Sequence, residues 1–194
     1  MYSKSEQQWL LSLARESIGF SLKERKSYTV DPDLLSPSLR EKRACFVTLT
    51  LNGQLRGCIG HLEAIQPLYK DVIENATSAA FDDPRFPPLG EEELDQVGIE
   101  LSILGKPTDL DYKDAHDLIK KLRPGKDGVI LRKGAYGATF LPQVWDQIKA
   151  PEDFLSHLCA KAGLDSNEWR KGKLEVQTYT VEAFDEKGVI GNEK

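Results

Sequence analysis

The sequence predicts an α+β fold, and three observations carry that prediction. Asn52-Gly53 lies between two β-forming runs, Ala44–Leu51 and Leu55–Gly60, and marks a tight hairpin because a type I′ turn needs positive φ at both central positions. The element order reads helix, hairpin, helix, strand, helix, two strands, helix, strand. Hairpin connections force antiparallel pairing, so this order favours segregated helices over a doubly wound parallel sheet.

Each element has its own signal. Ser3 and Glu6 stand three apart in a capping-box pattern, and Trp9, Leu10, Leu13, Ala14, Ser17 and Ile18 repeat at helical spacing behind them. Lys23–Lys26 reads as a solvated helix end, and Asp31-Pro32 and Ser36-Pro37 punctuate an irregular connection. Pro67 suits a first helical position. Leu68, Val72, Ala76 and Ala79 form its stripe, whose small residues predict close packing on a sheet. The prolines of Asp82–Pro88 end that helix. Glu91–Leu94 reads as a short helix, and Val97, Ile99, Leu101 and Ile103 alternate as a strand.

Beyond Gly105-Lys106-Pro107 a helix is predicted over 113–122, then strands at Val129–Leu131 and Ala138–Leu141. Pro151 opens a helix with Glu152 and Asp153 in its first turn, and Gly163-Leu164 predicts a Schellman ending. Leu174–Phe184 reads as one long strand, with a polar, frayed tail from Glu186.

Composition bounds the function classes. The 194 residues suit one domain, or two small lobes sharing a core. A net charge of −5 gives no general grip on nucleic acid. No apolar run approaches a membrane span, and the N-terminus lacks a signal-peptide pattern. Three cysteines without a CxxC motif fit a reduced, cytoplasmic setting.

The candidate site is Leu55-Arg56-Gly57-Cys58-Ile59-Gly60. A two-residue loop at Asn52-Gly53 sets Leu51 opposite Gln54, Leu49 opposite Arg56, Val47 opposite Cys58 and Cys45 opposite Gly60. Arg56 and Cys58 then share a covered face. A guanidinium there needs a carboxylate, carbonyls or a bound anion, so Arg56 reads either as a structural ion pair or as an anion receptor. Cys58 reads either as a small buried hydrophobe or as a thiol activated by Arg56. Gly57 and Gly60 signal a bulge or the close approach of another backbone or a ligand. The register also argues against a Cys45–Cys58 disulfide, with Cβ atoms about 7 Å apart as diagonal neighbours. Asp83 is placed to pair with either Arg56 or Arg85.

Other chemistries are thinner. His61 reaches Cys58 only if the chain bends at Gly60, and His116 and His157 lie on predicted helices as ordinary histidines. Cys58/His61 and His157/Cys159 are pairs with no second half, so no metal site is expected. Gly125-Lys126 is followed by Asp127 and lacks the Walker A pattern. Lys120, Lys121, Arg123, Lys126, Arg132 and Lys133 form a basic set without interleaved aromatics, so nucleic acid is an unfavoured partner.

The hexapeptide resembles the hallmark of the AMMECR domain family, whose prokaryotic members are called AmmeMemoRadiSam system protein A. Similar segments follow in family order: Phe46–Leu49, Asp83–Leu89, Ile99–Leu104, Gly125–Leu131, Thr139–Val144 and Cys159–Leu164. Cys45 and the compressed Trp145–Ile148 are small departures. The resemblance covers roughly residues 7–186. It implies one domain over 6–187, made of two unequal, interleaved lobes, roughly 6–110 and 111–187, on largely antiparallel sheet with a cleft between them. Residues 188–194 form a polar tail.

It also implies an association with Memo-like and radical S-adenosylmethionine proteins; separately, no cofactor is expected. It fixes no reaction. The leading expectation is a binding or adaptor module in which Arg56, Gly57, Gly60, Asp83 and Arg85 hold a small anionic ligand or a peptide. The alternatives are a cysteine enzyme with Cys58 as nucleophile, and an RNA-binding accessory factor.

Overall fold

The structure, a computed structural model, describes residues 1–190. In chain order the elements are α1 (Lys4–Glu24), α2 (Pro37–Arg40), β1 (Cys45–Leu51), β2 (Gln54–Gly60), α3 (Leu68–Phe81), β3 (Gly98–Leu104) and β4 (Thr108–Asp109). There follow α4 (Ala115–Lys121), β5 (Gly128–Lys133), β6 (Tyr136–Phe140), α5 (Pro151–Lys161), β7 (Glu175–Tyr179), β8 (Val181–Asp185) and α6 (Glu186–Ile190). The chain divides into two compact units, one of Met1–Leu104 with the segment from Glu182, the other of Gly105–Val181. The α+β class holds: the strands form two four-stranded sheets, ordered β2-β1-β3-β8 and β4-β7-β5-β6, with antiparallel neighbours.

In the first unit α1 and α3 pack together, and the inward residues of the sheet meet their apolar stripes. Cys45, Val47 and Leu49 of β1 and Ile99, Leu101 and Ile103 of β3 are all buried. The capping box of α1 forms as expected: Ser3 Oγ accepts from the Glu6 amide, and the Glu6 carboxylate accepts from the Ser3 amide. Pro67 is the N-cap of α3, one position earlier than the sequence suggests.

In the second unit α5 lies against the β5–β6 hairpin. Trp145 stacks on Phe154 with ring centroids 3.7 Å apart, and Phe140 meets the same ring edge-on. The Schellman ending of α5 forms: the Leu164 amide donates to the Cys159 carbonyl and the Gly163 amide to that of Ala160, with Gly163 at φ 77°.

Three expectations are corrected. The predicted strand 174–184 is two strands, and the break at Thr180 passes the chain from the second sheet to the first. Thr180 uses its carbonyl to accept from the Gly105 amide instead of continuing a ladder. The tail is not frayed at Glu186: this residue starts α6, and its carboxylate binds Arg15 and the Ile99 amide. Residues 191–194 of the expected tail lie outside the described residues. The hairpin register departs as well, and that departure builds the site.

Candidate functional site

Asn52 and Gly53 form the expected turn, with φ of 52° and 79°, and Leu51 faces Gln54. The register then shifts. Leu55 faces Thr50 and Gly57 faces Leu49, so Arg56 is the extra residue of a β-bulge. A bulge re-aims one side chain and displaces everything beyond it by one position. Cys58 therefore faces Thr48, not Val47, and Gly60 faces Phe46, not Cys45. The sequence places Arg56 and Cys58 on one face of a regular ribbon. The structure instead turns Arg56 out of the ladder and sets Cys58 on the face away from α1 and α3.

The bulge delivers Arg56 to Glu93. Its Nε and Nη2 donate to the two carboxylate oxygens at 2.8 and 2.9 Å, and Nη1 donates to the Pro87 carbonyl at 3.0 Å. Arg56 is 8% exposed. Planar guanidinium and carboxylate match in this bidentate geometry, which is the stronger form of the ion pair. The hydrogen bond from Arg56 and the Gly90 amide hold the Glu93 carboxyl down at about 2. Arg56 is thus the structural ion pair of the two readings. Its partner came from Glu91-Glu92-Glu93, a run that reads in sequence only as part of a short helix.

Asp83 chooses Arg85. Arg85 donates from Nε and Nη2 to the two Asp83 oxygens at 2.9 and 2.7 Å, and its backbone amide donates to Oδ1. Asp83 is buried, and the Arg85 hydrogen bond holds its carboxyl well below the usual range. The pair also reaches the outer edge of β2. Asp83 Oδ2 accepts from the Cys58 amide at 2.9 Å, and Arg85 Nη2 donates to the Cys58 carbonyl at 3.2 Å. An edge strand presents unpaired amides and carbonyls that template aggregation. Here one carboxylate and one guanidinium take the place of a neighbouring strand at Cys58.

Because the Cys58 backbone points outward, the Thr48–Cys58 pair is a non-hydrogen-bonded one, with its side chains closest. Thr48 Oγ1 accordingly lies 3.3 Å from Cys58 Sγ. The thiol is half-buried. Arg85 keeps 53% of its side chain exposed, and after Asp83 the Cys58 side chain is the next group its guanidinium interacts with. Phe86 steadies both cations, with its ring centroid 5.5 Å from the Arg85 and 6.0 Å from the Arg56 guanidinium carbon.

The two glycines are packing residues. A Cβ on Gly57 would overlap the Ala79 carbonyl, lying 3.0 Å from its carbon, because α3 rests directly on β2 there. A Cβ on Gly60 would lie 2.5 Å from the Cys45 oxygen and in the Phe46 ring. The close approach legible in sequence is that of the chain's own backbone and core.

His61 does not meet Cys58. Its Nδ1 lies 2.7 Å from Oδ1 of the fully buried Asp71, which also accepts from the Cys45 amide, Gln66 and Asn75. His116 and His157 are exposed. Cys45 is buried on the helix-facing side, and burial pushes its thiol well up. Among the described residues no three His, Cys, Asp or Glu side chains are placed to hold a metal ion, and no helix is long and apolar enough to cross a membrane. Three of the six basic-set cations are bound to carboxylates: Lys121 to Asp117, Arg123 to Asp127 and Lys133 to Glu168.

The depressed Glu93 carboxyl gives a pH prediction. The unfolded chain binds the Glu93 proton more tightly, so the Arg56–Glu93 contribution is complete above about pH 5 and is lost as pH falls toward 2. Unfolding midpoints measured from pH 6 to 2.5 will fall less steeply for Glu93→Gln than for the native chain. Parallel curves would contradict this.

A family model described as AMMECR1 matches residues 11–184. A protein of Thermofilum pendens is 40% identical over 197 residues, covering 94% of this chain and 90% of its own length. Protein NEQ441 of Nanoarchaeum equitans is 39% identical, covering 91% and 98%. The crystal structure of uncharacterized protein PH0010 from Pyrococcus horikoshii is similar with a TM-score of 0.77 at 37% identity, covering 94% of this chain and 92% of that one.

Proposed function

This chain belongs to the AMMECR1 family, and from that premise we propose that it works by binding, as an adaptor, through the Arg85–Cys58 edge of its first sheet. The ligand is a small anionic group or a peptide carboxylate, and the wider partners are a Memo-like protein and a radical S-adenosylmethionine protein. One observation carries the reading. Arg85 is fixed on two sides, by Asp83 and by Cys58, yet leaves half its side chain open. A pre-positioned guanidinium loses little freedom on capture, which favours planar, charge-assisted recognition. Arg56 offers nothing comparable, since Glu93 and Pro87 occupy it. The anion site therefore falls on Arg85, with Arg56 as its support.

A cysteine enzyme is the second reading. The Thr48 hydroxyl beside Sγ favours it, because a hydroxyl can donate to a thiolate. It lacks a base, since His61 is committed to Asp71.

The test is the complex with a purified Memo-like protein. Arg85→Lys keeps a cation for Asp83 and loses the outward fork, so binding will weaken at least tenfold while the melting temperature changes little. Undiminished binding by the folded variant contradicts the proposal.

A further inference from the structure

We propose a second ligand site, in the groove of the first unit between α3 and the segment 25–32, for a small soluble acid with an aromatic or acyl body. The groove has a volume of about 940 Å³. That is room for a small molecule along an open groove. Its apolar floor is Tyr28, Val30, Tyr69, Ile73 and Phe81, all packed on the core of that unit.

The rim is cationic and unspent. Arg25, Lys26 and Lys70 line the groove, and among the described residues none of them has a carboxylate within ion-pair distance. Two carboxylates also line it. Glu74 accepts from the Gln66 amide at 2.6 Å, and Asp82 sits at the C-cap of α3. The hydroxyls of Ser27 and Ser78 also line it.

Arg25 is the residue that points to a ligand. It caps α1 in the left-handed region, at φ 55° and ψ 34°, where glycine is the ordinary choice. Among the described residues only Arg25 and Asn52 are non-glycines at positive φ, and Asn52 is explained by its hairpin turn. A cation suits the C-terminal end of α1, and among the described residues the Arg25 guanidinium contacts no protein acceptor, which leaves it to a ligand. Apolar floor and unpaired cations together fit a free acid with an apolar body.

The probe is 8-anilinonaphthalene-1-sulfonate, titrated against the full chain under native conditions, with neutral N-phenyl-1-naphthylamine as the uncharged counterpart. Saturable binding of the sulfonate is expected, with displacement by octanoate. Arg25→Gly with Lys70→Gln will weaken it at least tenfold and leave the neutral probe unaffected. Glycine relieves the left-handed strain, so this variant melts no lower than the native chain, and its loss of binding is not a loss of fold. Sulfonate binding that is absent, or unchanged in the variant, or matched by the neutral probe, overturns the site. Displacement by anionic phospholipid vesicles but not by octanoate overturns the soluble-acid assignment.

Discussion

Arg56→Met will cost about 3 kcal/mol of stability, the usual loss when one partner of a buried ion pair is removed. For a chain of this length that lowers the melting temperature by about 10 °C. The loss has three parts. Glu93 keeps its charge, with 21% of its side chain exposed, and loses its bidentate partner. The Pro87 carbonyl loses its donor. The bulge at Arg56 loses the contact that gives it a purpose. The double variant Arg56→Met/Glu93→Leu removes both charges, so it will recover most of the loss, since well-packed apolar replacements of buried pairs are often neutral. Chemical unfolding of the two variants beside the native chain measures this. A single variant within 0.5 kcal/mol of native (roughly the scatter of ordinary surface substitutions) would show that the pair is ornamental to the fold.

Gly57→Ala is the second large effect. Alanine normally stabilises a strand interior relative to glycine by about 0.5–1 kcal/mol. Here its Cβ would overlap the Ala79 carbonyl, and a helix backbone cannot swing aside as a side chain does. Either α3 lifts from β2 or the edge strand twists away, and overpacking of this kind costs about 3 kcal/mol. Gly98→Ala is the matched control. It is also a strand glycine, but its added Cβ meets Thr50 Oγ1 at 3.1 Å, an atom that can rotate away. The prediction is a large loss for Gly57→Ala and under about 1 kcal/mol for Gly98→Ala. Equal effects would mean that the contact between α3 and β2 is looser than described.

These two residues also show what sequence can and cannot convey. Asn52-Gly53 fixed the turn because few residues tolerate its φ values. The glycines announced a close approach, and the small residues of α3 hinted at where. The bulge was hidden. Both faces of the ribbon carry apolar residues, so a one-residue slip breaks no alternation that a reader could notice. Arg56 declared its need for a carboxylate, but Glu93 is 37 positions away and sits in a run that reads only as a short helix. Asp83 had two arginines to choose from, and only coordinates show that its backbone bond to Cys58 commits it to Arg85. The break at Thr180 left no mark either, because β-formers flank it on both sides.

The bulge therefore separates Arg56 from Cys58 within the hexapeptide. The motif's arginine and glycines hold β2 against α3 and the 83–93 segment, and the recognition we propose lies at Arg85 on the strand's outer edge. The dissociation constant of the complex with a Memo-like protein, measured for the native chain and for Arg85→Lys at equal melting temperature, tests this most directly. The account predicts at least a tenfold rise in the variant. Identical constants would contradict it.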